Sequence, residues 1–565
     1  MSPKLPMSRK LLSTVAAGAL ALGLAATHST PAGADGDHRV KHVLLISIDG
    51  MHALDFANCS KGVVGINGGK PYCPNLAELS EHGAVYTQTS TSRPSDSFPG
   101  LTALVTGGSP RSTGAFYDVS YDRALSPPKL TTPYGIPGGA CPGTKGTQIG
   151  FDEEIDINYQ ALDAGGGINP DYLPRDPKNN CAVVYPHQFI RVNTLFEVVK
   201  AAGGYTAWTD KHQSYELTKG RSGTGVDDFY APEINSIPTP LPQVTLKLPG
   251  ISLSCSPNLP DTGAATSTNA WTDSFANIQC YDALKVQATL NQIDGLTHDG
   301  KPAPRTPNVF GMNFQVVSVG EKLIEKSVGK TGGYLDAAGT PTTPLLGEIQ
   351  FADAAIGLFV AELKKRGLYQ ETAIIITAKH GQSPIDPNRV LRIPADNAKD
   401  TPPSAILGAP VLQALEDDIS LLWLDTKQLS TLDAVALLEK NAPIIGADGG
   451  EFFYGRNLDL MYSDPNTLEG SRTPNIIVAP NVGVVYTGGK KKLAEHGGFA
   501  HDDTTVILLV SHPGLSPSIV NTPVVTAQVA PTILALLGLD PSSLIAVQKE
   551  GTPVLPGIQF SHSHD

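Results

Sequence analysis

Apolar and polar positions along the chain alternate between two periods. Short continuous apolar runs of strand length occur at residues 42–50 (HVLLISIDG), 205–212 (YTAWTDKH) and 373–377 (AIIIT). Further short runs lie at 420–425, 475–480 and 504–510. Between them lie segments with apolar residues at helical spacing: 74–83, 100–108, 193–204, 349–367 and 525–539. Glycine closes the segments at 83, 204 and 367, and the last turn of 349–367 is basic, as helix C-termini favour. The run 309–320 (VFGMNFQVVSVG) reads as one more strand. Strands alternating with helices predict an α/β fold: a mostly parallel central sheet with helices on both faces.

Two stretches interrupt the alternation. Residues 121–190 and 213–305 are rich in Pro, Gly, Thr and Asn and read as loop-rich insertions over one sheet edge. The expected organisation is one domain over 35–545 carrying both insertions, followed by a tail at 546–565.

The N-terminus has a different logic. Lys4, Arg9 and Lys10 precede the apolar run LLSTVAAGALALGLAA, and Ala32-Gly33-Ala34 offers a small-x-small cleavage site. This is the pattern of a secretory signal peptide over residues 1–34, too short to span a bilayer. No later segment reads as long enough to span, so the mature chain is expected to be secreted and free of membrane spans. Removing residues 1–34 takes away three positive charges and no negative one, moving the net charge from −13 to −16. Such an acidic chain is not a binder of nucleic-acid polymers, but a small phosphorylated substrate meets only the local site. The six cysteines, an even number in an exported chain, predict disulfides. Sequence alone leaves fifteen pairings open. Pairing between neighbours (59–73, 141–181, 255–280) is preferred, and no CxxC spacing suggests a cysteine metal site.

In a parallel sheet the carboxyl ends of strands face the ligand. Asp49, Asp210, Lys211, His212, Gln315, Lys379 and His380 all fall at such ends. Ser95, Asp96 and Ser97 stand just before the helical run at 100–108, where free backbone N–H groups attract an anion. His496, His501, Asp502 and Asp503 precede the run at 504–510. Carboxylates, imidazoles and a serine converging on one edge suggest metal-assisted hydrolysis, because a hard divalent ion takes O and N ligands and activates a bound hydroxyl. His52 reads as a surface or supporting residue.

The order of pieces (ISIDGM, SFPGLTALVTGGSPRSTG, ITAKHGQ, EHGGF, VAPTILALLGL) resembles the alkaline phosphatase superfamily, and within it the type I phosphodiesterase/nucleotide pyrophosphatase family. The resemblance implies a metal-dependent hydrolase of phosphodiesters or nucleotide pyrophosphates that works through a phosphoryl-Ser97 intermediate. It implies Asp49, Ser97, His380 and His496 as metal ligands, with Gln315 near a further ligand position and His501 as the alternative to His496. Three departures stand out: Gly100 replaces an Asn after Phe-Pro, no Asp-x-x-Gly-His motif is present, and Lys379 replaces an Asp ligand. An ammonium repels a neighbouring ion, so one divalent ion, with zinc the first choice, is expected rather than two. Ser97, Lys379, Lys211 and His212 are the expected catalytic groups. A sulfatase-like or phosphonate hydrolase, or an exported anion-binding protein without turnover, are the rival readings; Ser97-Phe98-Pro99-Gly100-Leu101 lacks the Arg of the sulfatase signature.

Overall fold

The computed structural model describes residues 40–560, apart from 134, 151–154, 159–161, 163–165, 237–243, 257, 259–269 and 488. The signal-peptide expectation falls outside the described residues. An eight-stranded sheet runs through the centre in the order Ser518–Val520, Gly83–Tyr86, Leu508–Ser511, Thr372–Thr377, His42–Ile48, Val309–Phe314, Ala207–Thr209, Asp228–Tyr230. Only Leu508–Ser511 runs against its neighbours, so the sheet is mostly parallel as the alternation predicts.

The central strand His42–Ile48 pairs with Val309–Phe314 on one side and Thr372–Thr377 on the other. Its period of two divides its side chains between two cores. Leu44, Ile46 and Ile48 enter a core with Phe275, Ile356 and Phe359. Val43 and Leu45 enter the other, with Phe98, Leu101, Phe196 and Ile533. Both neighbours being parallel, the three strands end together, and Asp49, Gln315 and His380 leave the sheet at one edge.

Three elements differ from the sequence reading. Residues 309–320 are not one strand: the strand ends at Phe314 and a helix runs Val316–Lys322. The break is imposed from outside, because Asp282 Oδ2 accepts from the backbone N–H of both Gln315 (2.7 Å) and Val316 (2.9 Å). Asp282 belongs to a 19-residue helix, Phe275–Ile293, inside the stretch read as an irregular insertion. The same stretch supplies the edge strand Asp228–Tyr230, so it is part of the sheet's architecture. Finally, the helix Thr343–Lys365 starts before residue 349 and, with 23 residues, is long and apolar enough to cross a membrane. Here its Phe351, Ile356, Phe359 and Leu363 are buried in the first core.

The runs at 420–425 and 475–480 do not join the central sheet. They form a separate antiparallel sheet in the order Val411–Glu416, Ser420–Leu424, Ile476–Ala479, Glu451–Tyr454. At the chain's end, residues of the expected tail include the helix Ile545–Glu550, and Leu555 is buried in the second core.

Disulfides join Cys59 to Cys73, Cys141 to Cys181 and Cys255 to Cys280, the neighbour pairing, and fit an oxidising compartment. Cys255–Cys280 anchors a long loop to the helix that supplies Asp282. Replacing both cysteines by serine is expected to lower stability by about 3 kcal/mol, from the loop entropy released in the unfolded chain. Urea denaturation of the two proteins measures it; an unchanged midpoint would refute the anchoring role.

Candidate active site

Ser97 is the first residue of the helix Ser97–Thr106. Asp96 caps that helix: its Oδ2 accepts from the N–H of Phe98 and of Asp118, each at 3.0 Å. The helix could not sit where it does with any residue but glycine at position 100. A Cβ there would lie 2.1 Å from the carbonyl oxygen of Lys379. Helix and strand end therefore pack backbone to backbone, which brings Ser97 over the edge that carries Asp49 and Lys379.

Asp49 is fully buried, with polar groups on every side. Asn313 Nδ2 donates to its Oδ1 at 2.7 Å and Gln315 Nε2 donates to its Oδ2 at 2.6 Å. Lys379 Nζ lies 3.5 Å from Oδ2, His380 Nε2 3.3 Å and Lys211 Nζ 3.8 Å. The two ammonium groups and the His380 imidazole hold its carboxyl well below the usual range, against the opposing effect of burial.

Lys379 is itself fully buried. Its Nζ bridges Asp49 to Asp210 Oδ1 at 3.0 Å and sits 4.3 Å from the centre of the Tyr215 ring. Trp208 Nε1 holds the other Asp210 oxygen at 2.9 Å. Lys211, which follows Asp210, donates from Nζ to Ser97 Oγ at 3.0 Å. The serine is fully buried, and the groups beside it that reach solvent are Lys211, 12% exposed, and His496, 11% exposed at the side chain.

His380 and His496 face each other with ring centroids 3.9 Å apart. His380 Nδ1 donates to the Gly381 carbonyl at 2.8 Å, and its Nε2 faces Asp49 Oδ2 at 3.3 Å. His380 Nε2, His496 Nδ1 and Asp96 Oδ1 are buried without hydrogen-bond partners. His496 Nδ1 lies 3.7 Å from Asp96 Oδ1. Burial drives both imidazoles below their ordinary pKa and Asp96 well above, so all three favour their neutral forms. The loop carrying His496 is clasped to the serine loop: Gly497 N–H donates to Ser95 O at 2.7 Å and Ser95 N–H to Gly498 O at 3.1 Å.

The structure thus gathers Asp49, Ser97, Lys211, Gln315, Lys379, His380 and His496. It turns His212 away: its Nδ1 meets Glu233 at 2.8 Å and its ring stacks on Tyr215. Gln315 presents its amide NH2 to Asp49, because the facing atoms, Asp49 Oδ2 and Asn313 Oδ1, are both acceptors. His501 is exposed on the helix His501–Thr504, and Asp502 instead ties Ser383 Oγ at 3.1 Å. Asp96, Asn313 and Tyr215 enter the site beyond the expected set. Of these, only Asp96 carried a signal in the sequence, as a helix cap beside Ser97.

A family model described as type I phosphodiesterase/nucleotide pyrophosphatase matches residues 43–133 and 327–503. A search of curated proteins finds no match. Among solved structures, murine ectonucleotide pyrophosphatase/phosphodiesterase 5 superposes with a TM-score of 0.52 at 12% identity, covering 88% of this chain and 96% of that one. An inactive variant of the same mouse protein in complex with AMP gives 0.51 at 12% identity, covering 89% and 96%. At these identities the likeness is one of fold.

The two lysines are expected to separate by experiment. Lys379→Met strands two buried carboxylates and should cost about 3–5 kcal/mol of stability, whereas Lys211→Met, which leaves Asp49 paired with Lys379, should cost less. Guanidinium denaturation of both variants checks this, and equal losses would contradict the assigned roles. Gly100→Ala should lower the melting temperature, since its methyl meets backbone that cannot yield; a wild-type value would refute the close packing.

Proposed function

The chain belongs to the type I phosphodiesterase/nucleotide pyrophosphatase family, and we propose that it is an exported enzyme that opens phosphodiester or nucleotide pyrophosphate bonds through a phosphoryl-Ser97 intermediate. The observation that carries this reading is Ser97 Oγ at a helix N-terminus, 3.0 Å from the Lys211 ammonium. An ammonium donating to a hydroxyl stabilises the alkoxide that forms as the proton leaves. The helix N-terminus adds favourable potential for the phosphoryl group. Lys211 covers Ser97, so the substrate must displace it. Its flexible stem lets the ammonium follow the incoming phosphate oxygens. Ser97 Oγ then bonds to phosphorus while its proton passes to the departing oxygen, the alcohol or nucleotide leaves, and water splits the phosphoryl-serine bond and returns a proton to Ser97. The AMP held by the mouse relative makes a nucleotide a natural substrate class.

A pair of ions does not fit this site. Lys379 and Lys211 already place two ammonium charges within 3.8 Å of Asp49 Oδ2, and Gln315 and Asn313 occupy its remaining lone pairs. The donors for one ion on this edge would be His380, His496 and Asp96, which must draw together to hold it. Three buried atoms there lack partners, and the His380 Nδ1–H bond to a carbonyl is the support a ligating imidazole takes. Two imidazoles and a carboxylate suit zinc. When bound, the ion supplies positive charge to a phosphoryl oxygen. Asp49 and Lys379 serve a different end: as a closed ion pair with Asp210 they fix the floor on which Ser97 and Lys211 stand.

The mature protein is expected to hydrolyse bis-p-nitrophenyl phosphate, to lose activity with chelator and to regain it with zinc. Ser97→Ala should lower turnover by at least roughly 10³-fold, the scale of removing a nucleophile. Turnover kept in that variant would exclude the phosphoryl-serine route; phosphate binding without turnover in the wild type would favour the anion-binding reading.

A further inference from the structure

Behind the active-site edge lies a second group of metal-binding side chains that the reaction above does not use. His52, Asp55 and Glu321 are buried, with their ligand atoms within 4.8 Å of one another. The hydroxyl of Tyr334 enters the same space. His52 Nδ1 lies 2.8 Å from Asp55 Oδ2, 2.9 Å from Tyr334 Oη and 3.3 Å from Glu321 Oε1. Tyr334 Oη lies 2.7 Å from Glu321 Oε1 and 2.9 and 3.0 Å from the two oxygens of Asp55.

These contacts outnumber the protons that could fill them. His52 Nε2 is 2.8 Å from the Gln382 carbonyl oxygen and 3.1 Å from the Gln382 backbone nitrogen. Nδ1 faces two carboxylates and a phenol oxygen. The single phenolic proton cannot serve Glu321 and both oxygens of Asp55. Glu321 Oε2 is buried with no partner. Among the described residues no lysine or arginine pairs with Asp55 or Glu321. A buried set of this kind needs a positive charge at its centre, which a bound cation or an imidazolium at His52 supplies. An imidazole held by a carbonyl at its far nitrogen is the usual support of a metal ligand. Ligand atoms around an ion at about 2.0–2.2 Å stand roughly 2.9–3.4 Å apart, close to the spacings here.

We propose that His52 Nδ1, Asp55, Glu321 and Tyr334 bind a divalent transition-metal ion, zinc or manganese, as a structural centre separate from the catalytic edge. Nitrogen and oxygen donors together suit those ions. The ion would join three segments that also carry active-site groups. His52 follows Asp49 by three residues, Gln382 follows His380 by two and Glu321 follows Gln315 by six. Gly50, at φ +88°, lets the chain pass: a Cβ there would lie 2.3 Å from Glu321 Oε2. Binding would hold Asp49, His380 and Gln315 in register from behind.

Anomalous diffraction from wild-type crystals grown with zinc, and separately with manganese, tests this without any variant. The expected result is a peak within about 2.0–2.2 Å of His52 Nδ1, Asp55 and Glu321. Metal content per chain should fall by one equivalent in Glu321→Gln and should keep this ion in His380→Ala. Saturated crystals with no peak there, or with a peak only between His380 and His496, would overturn the proposal and leave an imidazolium–carboxylate network. The second of those outcomes would leave the hydrolytic reading standing, and a peak here with no turnover would do the reverse.

Discussion

The buried carboxylate of Asp49 is the constraint from which the site follows. A carboxylate with no solvent contact is tolerated only when charge and hydrogen bonds surround it, and Asp49 has both. The strand that delivers it is the middle of three parallel strands, so its partners arrive from both neighbours: Gln315 from one, Lys379 and His380 from the other. Asp210 completes the balance. Two carboxylates and two ammonium groups leave the floor of the site close to neutral. That leaves the helix N-terminus and any bound ion to meet the added charge of a phosphate.

Two departures from the family pattern are mechanically linked. Gly100 is required because the backbone oxygen of Lys379 occupies the space of a Cβ, while the Lys379 side chain lies between Asp49 and Asp210. Restoring Asp at 379 alone would put three carboxylates together in a buried space. Restoring Asn at 100 alone would push the helix Ser97–Thr106 off the strand end. The pair reads as one rearrangement in which backbone contact and an ammonium replace a metal-centred junction.

The sequence made the strand ends legible because they obey a local rule: an apolar run followed by a polar residue. Asp49, Lys379, His380 and the serine helix were found that way. Contacts between distant segments carry no such mark. The approach of Lys211 to Ser97 and the turning of His212 toward Glu233 depend on how one loop leaves its strand. The helix Phe275–Ile293 was hidden for another reason. Its buried face carries Asn277, Asp282, Lys285 and Gln292 among the apolar residues, which blurs the amphipathic period. Those polar residues are there to do work on the sheet: Asp282 caps the helix after Gln315, and Lys285 donates to Asn313 O at 2.6 Å.

The same logic explains why a stretch of irregular composition is integral to the catalytic edge. Asn313 and Gln315 both touch Asp49, and both are positioned by the Asp282–Lys285 ion pair of 2.8 Å from that helix. Cys280 fixes the helix to the loop before it, two residues from Asp282. The setting of Asp49 thus depends on a chain of contacts that begins at a disulfide, passes through a buried ion pair and ends in two side-chain amides. A family that keeps its sheet while varying such segments can alter the charge of its active site without changing the strands that bear it.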